Sequence, residues 1–276
     1  MTNKYDLHCH THYSDGDLSP EELLQMAKEK EITHLSLTDH DTVAGLEQAH
    51  ASANALDIKL IPGIEFSCEW NGQLLHVLGL NVDPLSDELL DGIEENQQVR
   101  HKRAERMHLD FEANDIHLRD DVKTLVGERG VPTRPHFAQA LIDKGLVKNK
   151  NQAFKRYLIK GKVGFIPMQW PELKRVAGWI KAAGGHPVLA HPTRYKFSRT
   201  KLVKLIEEMK LYGVNALEVS TPITEAKQIK MLADLCVQYN LAASLGSDFH
   251  SPTQPWARLG GAQELDPRLT PIWTHF

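Results

Sequence analysis

Asp6-Leu7-His8-Cys9-His10-Thr11-His12-Tyr13-Ser14-Asp15-Gly16 is the stretch from which the rest of the chain is read. Successive side chains on a β-strand alternate between faces, so His8 and His10 share one face and Cys9 takes the other. Two imidazoles at a strand end, followed by an aspartate in a Gly-containing turn, have the make-up of part of a metal site. A lone His-x-His beside a turn is also what a surface histidine cluster looks like. The decision rests on how the other strands end.

Working outward, Ser19-Pro20-Glu21-Glu22 is a helix start, with a Ser cap, Pro in the first turn and Glu three residues after Ser. A strand at 34–38 runs into Asp39-His40-Asp41. A strand at 59–67 carries Glu65, and across the Asn71-Gly72 turn a strand at 74–80 carries His76. From 86 to 112 the pattern is one long polar helix, and shorter helices are expected over 120–126, 135–144 and 152–160. Alternation resumes with a helix at 171–183, the strand Pro187-Val188-Leu189-Ala190-His191-Pro192 and a helix from about 200. A strand at 216–220, a helix at 224–239 and a strand at 242–246 follow, and Ser247-Asp248-Phe249-His250 comes next. Such alternation predicts a largely parallel α/β sheet or barrel, formed by 1–97 and 169–276, with 98–168 as an inserted helical subdomain. Barrels of this class keep their chemistry at the C-terminal strand ends, where these polar residues recur.

A chain of 276 residues, 41% hydrophobic and 25% charged, has the composition of a globular protein with one large domain, with or without an insertion. No apolar run approaches the ~18 residues of a membrane span, and the N-terminus lacks the apolar core of a signal peptide. Cys9, Cys68 and Cys236 are too far apart to indicate a disulfide framework. A cytoplasmic protein without membrane attachment or obligate protein partner is expected. Net charge is −4, but unevenly spread: residues 98–162 hold 15 Lys and Arg against 8 Asp and Glu, leaving 17 against 28 elsewhere. A basic middle on an acidic body would draw phosphates toward a carboxylate-rich centre, although a solvated helical face has the same composition.

The polar groups near strand ends are His8, His10, Asp15, Asp39, His40, Glu65, His76, His191, Asp248 and His250. Mixed imidazole and carboxylate donors without thiolate suit Mn²⁺, Zn²⁺ or Fe²⁺ rather than a structural zinc site. They outnumber the about four to six ligands of one such ion, so a two- or three-metal hydrolytic centre accommodates them, with Glu65 as bridge.

His8-x-His10 with Asp15, Thr38-Asp39-His40-Asp41, Glu65, His76, Ala190-His191-Pro192 and Ser247-Asp248-x-His250 together resemble the motifs of the PHP (polymerase and histidinol phosphatase) family. The resemblance implies a distorted (β/α)7 barrel with a trinuclear centre, Mn²⁺ being the first choice of ion. In it His8, His10, Glu65 and Asp248 would hold one ion, Glu65, His76 and His191 a second, and Asp15, His40 and His250 a third. Asp39 would orient an imidazole. Thr133-Arg134-Pro135-His136-Phe137-Ala138, Gly164-Phe165-Ile166-Pro167 and the run from His191 to Arg199 resemble one branch, of stand-alone phosphoesterases. Members of that branch remove the 3′-phosphate of nucleoside 3′,5′-bisphosphates and trim RNA from its 5′ end. Arg134 and His136, beside a helix expected to begin at His136, are then candidates to hold a terminal phosphate, with Arg194 and Arg199 as second candidates.

The reading is a metal-dependent phosphoesterase for a small nucleotide or a 5′-phosphorylated RNA end, with Glu65 bridging and His191 or His250 assisting the leaving group. A histidinol-phosphate phosphatase is the alternative enzyme. A non-catalytic, metal-dependent nucleic-acid-binding module is the alternative from another class.

Overall fold

In the computed structural model, which describes residues 3–128 and 130–276, the Ser19 hydroxyl accepts from the Glu22 amide at 3.2 Å. Glu22 returns a bond to the Ser19 amide at 2.8 Å. This box starts α1 (Pro20–Glu29), which packs beside α2 (Leu46–Leu56). Leu23, Leu24 and Ala27 of α1 meet Leu35, Leu37 and Cys9 in one apolar cluster, because those positions recur at the helical and strand periods.

Among the described residues seven strands form a single sheet in chain order: β1 (Tyr5–Cys9), β2 (His34–Leu37), β3 (Lys59–Trp70), β4 (Gln73–Leu80), β5 (His186–Leu189), β6 (Ala216–Ser220) and β7 (Ala242–Leu245). Neighbours are parallel except at β4, which is antiparallel to both β3 and β5. The reversal comes from Asn71 and Gly72, whose φ values of 48° and 70° suit a two-residue hairpin turn. The ring closes where the Asp248 amide donates to the His8 carbonyl (2.8 Å) and the His10 amide to the Phe249 carbonyl (2.9 Å). Gly246 permits this, since a Cβ there would lie 2.3 Å from that of His8. The fold is a distorted (β/α)7 barrel.

On β3–β6 one alternate set, including Phe66, Val77, Leu189 and Leu217, packs against α7 (Leu173–Ala182), α8 (Arg199–Leu211) and α9 (Ala226–Tyr239). The other set, including Ile61, Leu78, Val188 and Ala216, joins Leu7 in a separate cluster. Glu65, His76 and Glu218 share the parity of this second set, so the polar centre stands on an apolar floor.

Between β4 and β5 lies the helical segment: α3 (Asp87–Glu112), α4 (Arg119–Val126), α5 (Arg134–Asp143) and α6 (Lys150–Ala153), which widens into a π turn over Phe154–Leu158. Three sequence expectations change here. The 152–160 helix is two shorter pieces. Helix α5 begins at Arg134 rather than His136, because Thr133 caps it. The boundary at 98 falls inside α3, whose Leu89 and Ile93 belong to the barrel core while Ala104, Met107 and Phe111 belong to a second core with Phe137 and Leu141.

Candidate metal centre

Glu65 is fully buried and sits among five imidazoles. Its Oε2 lies 3.3 Å from the Nε2 atoms of His8 and His10 and 3.0 Å from His40 Nδ1. Its Oε1 lies 3.0 Å from His76 Nδ1 and 3.1 Å from His191 Nε2. Asp248 Oδ1 is 3.2 Å from His8 and 3.1 Å from His10. Asp15 faces His250 at 3.3 Å and His40 at 3.8 Å. The structure thus brings together His8, His10, Asp15, His40, Glu65, His76, His191, Asp248 and His250.

Local sequence explains each placement. Gly16 lets the loop after β1 fold back to present Asp15: a Cβ there would stand 2.4 Å from the His10 carbonyl oxygen. His76 lies in the first half of its strand and not at the C-terminal end. It joins the centre because β4 runs backwards. Asp41, His191 and Asp248 adopt positive φ values of 52°, 30° and 50°, a conformation that L-residues rarely take and that turns each away from its strand.

The donors group in three overlapping sets: His8, His10, Glu65 and Asp248; His10, Asp15, His40 and His250; and His40, Glu65 and His76. His191 adjoins the last through Glu65. Glu65 Oε2, His8 Nε2, His40 Nδ1, His76 Nδ1 and His191 Nδ1 are buried without a hydrogen-bond partner among the described residues. Several thus approach one another without hydrogen-bond geometry, as ligand atoms aimed at shared ions do. Such unpaired groups are costly in a dry interior, and cations would satisfy them.

Electrostatics agree. Burial alone would lower the pKa values of His8 and His10. At His8, Glu218, Glu65 and Asp248 outweigh it, and at His10, Asp248 and Glu65 push the value up to about 10. Burial would raise Asp15, Glu65 and Asp248, yet the imidazoles around them, with Arg194 at Asp248, hold all three well below the usual carboxylate range. His40 is pushed down to about 4, chiefly by burial. In the polypeptide alone, protons supply the positive charge that these carboxylates demand. Divalent ions would displace them, because a ligating imidazole nitrogen must be unprotonated. The residues fit a multinuclear centre.

One corrected role and several unforeseen ones complete the site. Asp39 orients no imidazole directly: it accepts from the Thr11 amide (2.7 Å), the Thr11 hydroxyl (2.5 Å) and the Ser14 hydroxyl (2.6 Å), and so holds the loop after β1. The orienting carboxylate is Glu218 on β6, which accepts from His8 Nδ1 at 2.8 Å and from the His191 amide at 2.7 Å. Its signal in the sequence was a lone charge within the run Ala216-Leu217-Glu218-Val219-Ser220. The Tyr195 hydroxyl similarly joins two histidine segments, accepting from the His76 amide at 2.9 Å and donating to the Ala190 carbonyl at 3.0 Å. Carboxylates behind ligating histidines typically contribute about 10–100-fold in metal affinity, so Glu218→Leu should lose metal to a chelator at about that much lower concentration. Retention equal to wild type would remove Glu218 from this role.

The four candidate phosphate-binding residues diverge. Arg194, on a 3-10 turn directly after His191, pairs with Asp248. Arg134 and His136 stand on the first turn of α5, near enough to Asp15 for its charge to be felt. His136 Nδ1 is already engaged by the Thr133 amide at 3.1 Å. Arg199 opens α8 as an exposed residue near Tyr239 and touches none of the cluster, because the 3-10 turn carries the chain out of the mouth before α8 begins. The three cysteines are free and buried, and no helix is long and apolar enough to cross a membrane among the described residues.

Residues 6–185 match the PHP domain. A 5′-3′ exoribonuclease of Haemophilus influenzae is 38% identical over 277 residues, covering 100% of both chains. A 3′,5′-nucleoside bisphosphate phosphatase of Chromobacterium violaceum is 35% identical over 269 residues, 97% of this chain and 94% of its own. Among solved structures, an amidohydrolase from Chromobacterium violaceum with bound sulfate and no metal matches with a TM-score of 0.93 at 35% identity, over 99% of this chain and 95% of that one. A domain match over residues 6–185, which hold His8, His10, Asp15, His40, Glu65 and His76 of the cluster, and relatives alike along their whole length lead to one conclusion: the chain belongs to the PHP domain family.

Proposed function

We propose that the protein is a metal-dependent phosphoesterase that removes the 3′-phosphate of nucleoside 3′,5′-bisphosphates and trims 5′-phosphorylated RNA from its 5′ end. Both reactions break the bond between phosphorus and a ribose 3′-oxygen, so one site serves both. The observation that carries the substrate class is a second group apart from the cluster, the Arg134 guanidinium with the His136 imidazole beside it on the first turn of α5, near enough to Asp15 for its charge to be felt. A substrate with one phosphate at the cluster and another a nucleoside away matches two such centres. The family relatives described as a bisphosphate phosphatase and an exoribonuclease act on substrates of this kind.

Three divalent ions are assigned, Mn²⁺ first and Zn²⁺ or Fe²⁺ as alternatives. His8, His10, Glu65 and Asp248 would hold one, Glu65, His76 and His191 a second, and Asp15, His40 and His250 a third. When bound, such ions activate water and neutralise charge on the phosphoryl oxygens. Glu65 presents one oxygen to each side of the centre and would be shared between ions. His250 would hold an ion through Nε2, which faces Asp15, rather than act as an acid, since its Nδ1 is committed to the Asp248 carbonyl at 2.9 Å. His191 stays buried against Glu65, so the Glu218–His191 contact acts by orientation. Arg194 is the arginine beside the reacting phosphate and Arg134 the reader of the distal one. The setting is cytoplasmic, consistent with three free cysteines.

Protein loaded with Mn²⁺ should hydrolyse 3′,5′-bisphosphates and 5′-phosphorylated RNA, and a chelator should stop it. Preference for histidinol phosphate would shift the reading to that phosphatase, and full metal occupancy without turnover of any ester would shift it to a binding module. Within this reading Arg134→Ala should lower kcat/KM on bisphosphates by about ten- to a hundredfold, the worth of a hydrogen bond to a charged group. A substrate carrying only the scissile phosphate should be affected little. Equal losses on both would remove Arg134 from the distal phosphate.

A further inference from the structure

A row of aromatic rings leads outward from the metal centre on one flank. His191, Tyr195, Phe197 and Trp70 follow one another with ring centres 5.6, 5.5 and 6.0 Å apart. The row is tied down along its length. The Tyr195 hydroxyl bonds the His76 amide and the Ala190 carbonyl, and the Trp70 indole donates to Glu208 of α8 at 2.9 Å. Its inner end belongs to the centre itself, since His191 faces Glu65 at 3.1 Å.

The chain along this row, Arg194-Tyr195-Lys196-Phe197-Ser198-Arg199-Thr200-Lys201, carries four cations and no carboxylate. Elsewhere outside 98–162 acids prevail, with 17 Lys and Arg against 28 Asp and Glu in total, so this strip stands out from its surroundings. Arg194 pairs with Asp248, but no ion pair engages Lys196, Arg199 or Lys201 among the described residues. Lys196 and Arg199 are exposed, and Lys196 takes a positive φ of 53° as the chain leaves its 3-10 turn. Lys201 is held over the rings instead, its Nζ 4.3 Å from the centre of Phe197 and 5.9 Å from that of Trp70. Cations of one sign set along aromatic rings form the kind of surface that a single-stranded nucleic acid follows.

Direction comes from the chemistry proposed above, on which this step rests. In RNA trimmed from its 5′ end, the bond broken joins the reacting phosphorus to the 3′-oxygen of the first ribose. The first nucleotide then lies toward Arg134, which feels the charge of Asp15, and the remaining strand leaves from the other side of that phosphorus. Arg194 marks that other side, because the carboxylates acting on it are Asp248, Glu218 and Glu65. The helical segment is basic too, but it carries Arg134 and so belongs to the 5′ side. We infer that the strip from Arg194 to Lys201 is an exit track for single-stranded RNA, in which Lys196, Arg199 and Lys201 take backbone phosphates beyond the scissile one. Such contacts read no base, so the strand can advance by one nucleotide after each cut. A nucleoside 3′,5′-bisphosphate ends at the scissile phosphate and leaves the track empty.

The test is fluorescence anisotropy of the Mn²⁺-loaded protein with a 5′-phosphorylated RNA decamer joined by phosphorothioate links, which keep the charge and resist hydrolysis. The double variant Lys196→Gln with Arg199→Gln should bind it about tenfold more weakly. The slope of log affinity against log salt should fall by about 1.4, from two lost contacts at about 0.7 each. Its Tm and its affinity for adenosine 5′-monophosphate should match wild type, because both side chains are exposed and away from the first nucleotide. The exposed pair Lys148→Gln with Lys155→Gln, on the helical segment, should leave the slope unchanged. An unaltered slope in the first double variant, or no decamer binding by wild type, overturns the track. An equal fall in the second places the strand on the helical segment and overturns it too, as does an equal loss of adenosine 5′-monophosphate. Binding is scored without turnover, so the two readings fail separately. A protein that holds the decamer through Lys196 and Arg199 but hydrolyses no phosphoester would sink the phosphoesterase reading alone.

Discussion

Glu65→Gln is expected to lower metal content and to take turnover on any phosphoester down by at least about a hundred- to a thousandfold, the scale seen when a group stabilising transition-state charge is removed. One carboxylate faces five imidazoles, three across Oε2 and two across Oε1. An amide keeps the volume but replaces one of those oxygens by an NH₂ group that cannot accept, and it removes the negative charge that ions on both sides would share. No neighbour can substitute, since Asp15 and Asp248 serve only one flank each. Elemental analysis beside steady-state rates tests this. Full metal occupancy with wild-type kcat would show that Glu65 bridges nothing.

Arg100→Leu should destabilise the fold by about 3–5 kcal/mol, as expected when one partner of a buried ion pair is deleted. Asp41 is fully buried, and Arg100 is its only cation among the described residues. Without it the carboxylate retains the Ser67 amide at 2.8 Å and Asn96 at 2.7 Å, two neutral donors against a full charge. The double variant Arg100→Leu with Asp41→Asn should recover part of the loss, since no buried charge then remains. Denaturant midpoints for the three proteins decide it. A single variant as stable as wild type would mean that the clamp does not hold α3.

Much of the barrel was legible because it is written in short periods. Alternating apolar residues in β3 to β6 and the capped start of α1 are visible within windows of a few residues, and the observed elements follow them. The nine ligand-type residues were legible as histidines and carboxylates in recurring motifs, although His76 and Glu65 lie within their strands rather than at the ends. Helix starts in the 98–168 segment were less so. Thr133 begins α5 through a capping exchange with His136, an imidazole in the place where Glu or Gln usually signals a cap. The π turn after α6 has no local signature comparable to a Gly or Pro stop.

What the sequence determined by itself was the strand and helix order, the donor chemistry and the presence of a basic segment. Local dihedral preferences and side-chain periodicity suffice for each. Tertiary structure alone decided which residues act together. Glu218 meets His8 across 210 positions and Arg194 meets Asp248 across 54, while Arg199, five residues further on, turns outward with α8. Arg100 and Arg103 are three apart in one helix and chemically identical, yet one is neutralised by Asp41 and the other has no acceptor among the described residues. The difference arises because electrostatic partners are set by distance in space. Once the ring closes through His8 and Asp248, those distances depend on the whole barrel rather than on any stretch of chain.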